Sequence, residues 1–245
     1  MSTKRLRIFA GPNGSGKTTI FRELLKNNKI NLGIYVNADD IELRLEKEAC
    51  LDLSEFSITT EIAVIRQYFR ESNFSPVKRN EPDLWTKLEL KDNVLFVNTR
   101  IDSYLAADLA EWLRQQLLSQ GLSFTFETVM SHPGKIEFMK NAQERGYRVY
   151  LYFIATEDPE INISRVNVRV ALNGHPVPPN VVKQRYYKSM SLLRDAVKQT
   201  NRAYIWDNSG SQAKFIAEVT DGHFVRTNEI IHTPAWVDEF LFSKS

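Results

Sequence analysis

Gly11-Pro12-Asn13-Gly14-Ser15-Gly16-Lys17-Thr18 decides how the rest of this 245-residue chain is read. The pattern is glycine, four residues, then Gly-Lys-Thr. Leu6-Arg7-Ile8-Phe9-Ala10 before it reads as a short buried strand, and residues 18–29 after it read as a helix. Glycines let the backbone take positive φ angles and approach an anion closely, so that successive N–H groups point inward as a nest. The helix N-terminus adds a partial positive charge. Lys17 is placed to reach β- and γ-phosphates, and the Thr18 hydroxyl to ligate Mg²⁺. The bland competitor is a glycine-rich turn that merely caps a helix. The expectation is a nucleoside triphosphate site built by Gly11, Asn13, Gly14, Ser15, Gly16, Lys17, Thr18 and Thr19.

Composition narrows the setting. With 42% hydrophobic residues the chain can bury one good-sized core, so the expectation for 1–245 is a single domain with embellishments. Thirty-two basic and 30 acidic residues leave a net charge of only +2, which offers no electrostatic case for a nucleic-acid or membrane partner. Cys50 is the one cysteine and fits a reducing cytoplasm, the expected location. No apolar run is long enough to span a bilayer, and Met1 to Arg5 lacks a signal peptide's apolar core. The four histidines are scattered, with no metal-ligand spacing.

Short apolar runs alternate with helical periodicity, which predicts an α/β fold: a mostly parallel central sheet with helices on both faces. Strands are expected at 6–10, 34–36, 124–127, 149–154 and 203–206. Leu105, Leu109, Trp112, Leu113 and Leu117 recur at helical spacing within 104–120, with Asp102 to cap the start and Gly121 at the stop. A second helix is expected over 134–145, with Pro133 at its first turn and Gly146 after its end. Residues 71–100 interrupt the rhythm, and 58–100 reads as an insertion, either covering an acceptor site or forming a surface excursion; 94–97 is a candidate strand within it.

Three groups of charged residues carry candidate chemistry. Asp39 follows the second strand, where ligands of open parallel sheets bind, and a carboxylate there suits a base that takes a proton from an acceptor hydroxyl. The spacing of Asp39 and Glu42 equally fits a capping box with Asp39 as N-cap. Glu127 ends the strand Phe124-Thr125-Phe126-Glu127 and reads as a carboxylate near Mg²⁺ or its waters, or else as an outward residue of an alternating strand. Arg165 and Arg169 share one face of a helix expected over 159–172, and Arg185 lies on the next helix. The connecting Asn173-Gly174-His175-Pro176-Val177-Pro178-Pro179 must leave helical geometry. The pair reads as a helical lid that brings arginines to the phosphates, with a solvated basic face as the competitor.

In order along the chain stand Gly-Pro-Asn-Gly-Ser-Gly-Lys-Thr at 11–18, Asn-Ala-Asp at 37–39 and Phe-Glu-Thr-Val-Met-Ser-His-Pro at 126–133. Then come Gly-Tyr-Arg-Val-Tyr-Leu-Tyr-Phe at 146–153, Arg-Val-Asn-Val-Arg-Val at 165–170, Gly-His-Pro-Val-Pro at 174–178 and Gln-Arg-Tyr-Tyr-Lys-Ser at 184–189. The ordered set resembles the zeta-toxin family of P-loop kinases, in its stand-alone chromosomal form. The resemblance implies a kinase that uses ATP and Mg²⁺, with UDP-N-acetylglucosamine or a related nucleotide sugar as acceptor and an antitoxin protein as a partner to test for. It makes Lys17 and Thr18 nucleotide and metal contacts, Asp39 the base, Glu127 a contact at the reacting centre and Arg165 a lid arginine. Arg169, Arg185 and the loop 175–178 all compete for the second lid arginine. The 71–100 stretch departs from the plasmid toxins, so kinase activity carries over better than the acceptor. Asp207-Asn208-Ser209 is similar to the segment near adenine in related kinases, and the tail 221–245, with Phe224, Trp236 and Phe240, is expected to pack on the core.

Other P-loop classes fit less well. No Leu-Ser-Gly-Gly-Gln signature of a transport ATPase and no Asn-Lys-x-Asp of a GTPase occurs, although an ATP-driven switch without an acceptor keeps the P-loop. A polynucleotide 5′-kinase shares the loop and an Asp base, but no basic-aromatic run is visible along the chain.

Overall fold

Leu6, Ile8, Phe9 and Ala10 are wholly shielded from water, as a strand flanked by strands and covered on both faces requires. The computed structural model describes residues 3–26, 31–172, 176–227 and 232–242. The strands are β1 (Arg5–Ala10), β2 (Ile34–Val36), β3 (Cys50–Asp52), β4 (Leu88–Lys91), β5 (Val94–Val97), β6 (Phe124–Thr128), β7 (Arg148–Ala155), β8 (Arg202–Asp207), β9 (Lys214–Thr220) and β10 (Phe224–Thr227). The helices are α1 (Lys17–Lys26), α2 (Ala38–Glu48), α3 (Ile62–Glu71), α4 (Ser75–Arg79), α5 (Ser103–Gln120), α6 (Gly134–Glu144), α7 (Pro159–Ala171), α8 (Pro179–Ser191) and α9 (Leu193–Lys198). Two compact units result, one from Met1–Leu32 with Thr125–Ser245 and one from Gly33–Phe124.

The first unit is an α/β layer structure. Its strands run in the order β10-β9-β8-β7-β1-β6, with β1, β7 and β8 parallel and β9 and β10 joined antiparallel at one edge. α1 packs on β1 and α6 on β6, while part of the face that Phe9 shares with Arg7 stays half-exposed at Tyr150, Tyr204, Trp206 and Phe215. Phe21 of α1 meets Phe9 edge-on at 5.1 Å, and Phe138 of α6 meets Phe126 at 5.8 Å on the side away from Glu127. All five expected strands form, β2 over the expected 34–36 and the other four extended by a residue or two. The edge pair β9 and β10 was not anticipated. The expected 18–29 helix is described as far as Lys26. In the tail, Trp236 is buried and its indole N–H donates to the Asp207 carboxylate at 2.8 Å, so the tail does pack on the core there.

The second unit holds a three-stranded antiparallel sheet, β3-β5-β4, beside α5. The expected α5 ends are met: Asp102 accepts from the Leu105 amide at 3.1 Å, and Gly121 closes the helix at φ 73°. Segment 58–100 supplies α3, α4, β4 and β5 and is anchored by buried polar contacts. Asp108 of α5 is buried and accepts from Tyr68 Oη at 2.9 Å, Ser72 Oγ at 2.7 Å, Ser75 Oγ at 2.6 Å and the Ser75 amide at 3.1 Å. Arg79, with its side chain fully buried, pairs with Asp102 at 2.8 Å and Glu81 at 2.9 Å.

One expected cap is corrected. Asp39 is not the N-cap of α2; Asn37 is, in extended backbone at φ −130°, ψ 124°, and its side chain accepts from the Asp39 amide at 3.0 Å. β2 ends at Val36 and the helix starts at Ala38, so Asn37 is the sole residue left between strand and helix. The Asp39 carboxylate is exposed in the first helical turn.

Candidate active site

The loop of residues 11–16 joins the end of β1 to the start of α1, and its geometry demands glycine. Gly11 sits at φ 139°, and a Cβ there would lie 1.9 Å from the Ile154 carbonyl oxygen. Gly16 sits at φ 92°, and a Cβ would lie 2.2 Å from Asn208 Nδ2. No side chain fits either place. The Ser15 amide donates back to the Pro12 carbonyl at 3.3 Å, and the Thr19 and Ile20 amides donate to the Gly16 carbonyl at 3.1 and 3.2 Å, which starts the helix.

Two asparagines hold the loop from outside. Asn162 of α7 donates from Nδ2 to the Asn13 carbonyl at 2.6 Å, and Asn208, just after β8, donates from Nδ2 to the Ser15 carbonyl at 2.8 Å. Asn162 is itself buried and takes a hydrogen bond from the Thr156 hydroxyl. Engaging those carbonyl oxygens fixes the peptide planes of the loop, the condition for a preorganised anion nest. Asn208 belongs to the 207–209 segment that resembles the one near adenine in related kinases, and Asn162 carries no signal in the sequence. No local pattern reveals a contact made across 149 residues.

Lys17 lies at the mouth of the loop, its ammonium donating to the Gly11 and Pro12 carbonyl oxygens at 2.9 and 3.0 Å. Thr18 Oγ1 donates to Glu127 Oε2 at 2.9 Å. The hydroxyl and the carboxylate singled out from two distant stretches are thus brought together beside the loop. Both are hard oxygen donors, and among the described residues no group of three or more His, Cys, Asp or Glu is arranged to hold a metal. That donor set fits Mg²⁺, which binds through one or two protein oxygens and completes its shell with water and phosphate.

The lid residues are placed as follows. Arg165 on α7 donates to the Asn208 and Gly210 carbonyl oxygens at 2.7 and 3.1 Å, which ties the helix to the loop after β8. Arg169 is exposed one turn further on, and Arg185 is half-buried on α8. Residues 173–175 of the connecting loop lie outside the described residues. Thr19 is exposed, while Asn13 Oδ1 and Ser15 Oγ are buried without a hydrogen-bond partner.

In the second unit, the face of α2 one residue on from Asp39 borders a cleft of about 180 Å³ lined by Tyr35, Asn37, Asp40, Arg44, Glu55 and Phe56. Arg44 forks onto Glu55 through two hydrogen bonds of 2.5 and 2.7 Å, and this guanidinium holds the Glu55 carboxyl below the usual carboxylate range.

A strand, a glycine loop ending in Lys-Thr, a helix, and a carboxylate at the tip of β6 define an α/β protein of the P-loop kinase-like class. Residues 98–218, just under half of the chain, match the family described as Zeta toxin, which the chain resembles there. The match contains Glu127, Arg165, Arg169, Arg185 and Asn208. An uncharacterized protein of Haemophilus influenzae is 34% identical over 89 residues, which span 36% of this chain and 64% of the relative. Among solved structures, the AvrRxo1-ORF1:ORF2 complex with ATP superposes with a TM-score of 0.56 at 16% identity, over 98% of this chain and 64% of that one. A structure from the PezAT chromosomal toxin–antitoxin system of Streptococcus pneumoniae gives 0.53 at 17% identity, over 100% and 81%. At these identities the likeness is one of fold. The chain spans just under two thirds of the curated relative and of the AvrRxo1 protein.

Proposed function

We propose that this protein is an ATP-dependent small-molecule kinase that transfers the γ-phosphoryl group to a hydroxyl of a nucleotide sugar, UDP-N-acetylglucosamine or a related metabolite. The observation that carries the reading is the 2.9 Å hydrogen bond between Thr18 and Glu127 beside a glycine loop clamped at both shoulders. A switch that hydrolyses ATP uses the same loop, lysine, hydroxyl and carboxylate; transfer to an alcohol adds a base for the acceptor hydroxyl, the role this reading gives to Asp39.

In this reading the amides of the 11–18 loop and the N-terminus of α1 bind the β- and γ-phosphates. Lys17 swings its ammonium from the Gly11 and Pro12 carbonyls to the phosphate oxygens. Thr18, with Glu127 hydrogen-bonded to it, would hold Mg²⁺, which when bound would supply charge neutralisation at the phosphates. Asp39, released from any capping duty by Asn37, accepts the proton of the acceptor hydroxyl. The cleft lined by Asp40, the residue after Asp39, offers aromatic walls, a carboxylate and an arginine–glutamate fork, groups that suit a hydroxyl-rich ring. Arg165, with Arg169 or Arg185, delivers positive charge from α7 and α8. The antitoxin partner and a cytoplasmic setting are part of the same proposal; among the described residues no helix is long and apolar enough to cross a membrane.

The test separates binding from transfer. Asp39→Asn should keep Mg-ATP affinity within about threefold in titration calorimetry while transfer to the acceptor falls by about a hundredfold or more, the range of general-base removal. An Asp39→Asn enzyme that transfers at the wild-type rate contradicts the assignment of the base.

A further inference from the structure

The net charge of +2 conceals a separation. The first unit carries 22 basic and 14 acidic residues, net +8, and the second carries 10 and 16, net −6. Part of the positive excess is gathered on one face of the first unit's sheet. Strand pairing aligns Arg5 with Arg148, Arg7 with Tyr150, and Tyr150 with Arg202, so these side chains share a face. Arg226 joins them through Glu218, the one acid aligned in this row, which sits opposite both Tyr204 and Arg226. Glu218 is engaged by Arg202 at 3.2 Å. Five arginines thus face one carboxylate.

The same face carries an aromatic row. Tyr150, Tyr204, Trp206 and Phe215 are all half-exposed. Tyr204 stacks on Tyr152 at 5.1 Å, and Trp206 lies 5.2 Å from Phe215. Arg7 and Arg148 lie 5.4 and 6.0 Å from the Tyr150 ring centre. Arg7 is 7% exposed, and its Nε has no hydrogen-bond partner. None of this shows along the chain, because the contributing residues come from five strands spread between positions 5 and 226.

We propose that this arginine–aromatic sheet face binds single-stranded nucleic acid. Half-exposed rings on a sheet are surfaces on which unpaired bases stack, and arginines between them hold the phosphates. A polyacidic peptide would use the charges and leave the rings unused. An anionic bilayer would call for aliphatic side chains reaching past the charged rim. Arg5, Arg148 and Arg202 each open their strand, whereas the 11–18 loop follows the last residue of β1, so this surface is centred on the sheet end opposite the nucleotide site.

The probe is a fluorescein-labelled oligo(dT) of about 15 nucleotides, followed by anisotropy between ~50 and ~200 mM KCl. The wild-type protein should bind it with affinity that falls as salt rises. The surface variant Arg148→Gln/Arg202→Gln/Arg226→Gln should bind at least ~tenfold more weakly at ~50 mM salt, with a shallower salt slope. Its Mg-ATP affinity should be unchanged. Tyr204→Ala, checked for folding by circular dichroism, should weaken binding about fivefold or more. No oligonucleotide binding by wild type at ~50 mM salt, full retention by the triple variant, or capture of phosphatidylserine vesicles or polyglutamate in place of the oligonucleotide would overturn the proposal.

Discussion

Asn162 and Asn208 do for the loop what its own residues cannot. Each spends one amide N–H on a loop carbonyl, so the loop's own N–H groups are aimed without strain on a ligand. Asn208→Ala removes one such bond and should weaken Mg-ATP binding about five- to tenfold by titration calorimetry, the size of one hydrogen bond. Equal affinity would make the contact incidental. Lys17→Ala should abolish ATP turnover while circular dichroism shows the fold retained, because its ammonium bonds to carbonyls of the loop itself, at Gly11 and Pro12. The meeting of Lys17, Thr18 and Glu127 beside the loop was legible in the sequence, since residue type and position beside strand ends point to it. The asparagines were not, because a buried amide that holds a backbone carbonyl has no local signature. Asp39 lay between: its acidity was legible, and only the backbone angles of Asn37 removed the capping alternative.

At the scale of elements, α5 shows how a segment that reads as an interruption becomes structure. Asp108 takes four hydrogen bonds from the end of α3 and the start of α4, so one carboxylate fixes two helices against a third. Asp108→Ala would leave buried hydroxyl and amide donors unpaired, at a cost of about 3 kcal/mol. Urea denaturation should show that loss, and a midpoint shift below a quarter of it would mean that the insertion is held by apolar packing alone. The central strands and α5 to α7 were legible because buried parallel strands and amphipathic helices leave clear periodicities. β9 and β10 were not. Lys214-Phe215-Ile216-Ala217-Glu218-Val219-Thr220 contains a register shift between Ile205 and Trp206 of its partner strand, which breaks the alternation. β3 and β4, three and four residues long, owe their pairing to β5 rather than to their own sequence.

Across the whole molecule, the phenols of the core set an alkaline limit. Burial pushes Tyr147 and Tyr152 up to about 12 and raises Tyr68 and Tyr186 as well. The neutral phenol is the form the fold favours. Its stabilising contribution is therefore complete below the ordinary phenol value of about 10 and is lost as pH climbs from there through about 12. Urea midpoints should hold steady to pH ~9.5 and fall steeply above ~10.5; a flat profile to pH ~12 would show that these rings are not shielded.

The central claim, that the glycine loop and the Thr18–Glu127 pair serve transfer of a phosphoryl group to an alcohol, is tested most directly by mass spectrometry of a metabolite extract incubated with the protein and Mg-ATP. The account expects one nucleotide sugar to gain the mass of a phosphate, with no gain when Lys17→Ala replaces the wild-type protein. Release of free phosphate with no metabolite phosphorylated, or the same product from Lys17→Ala, would contradict it.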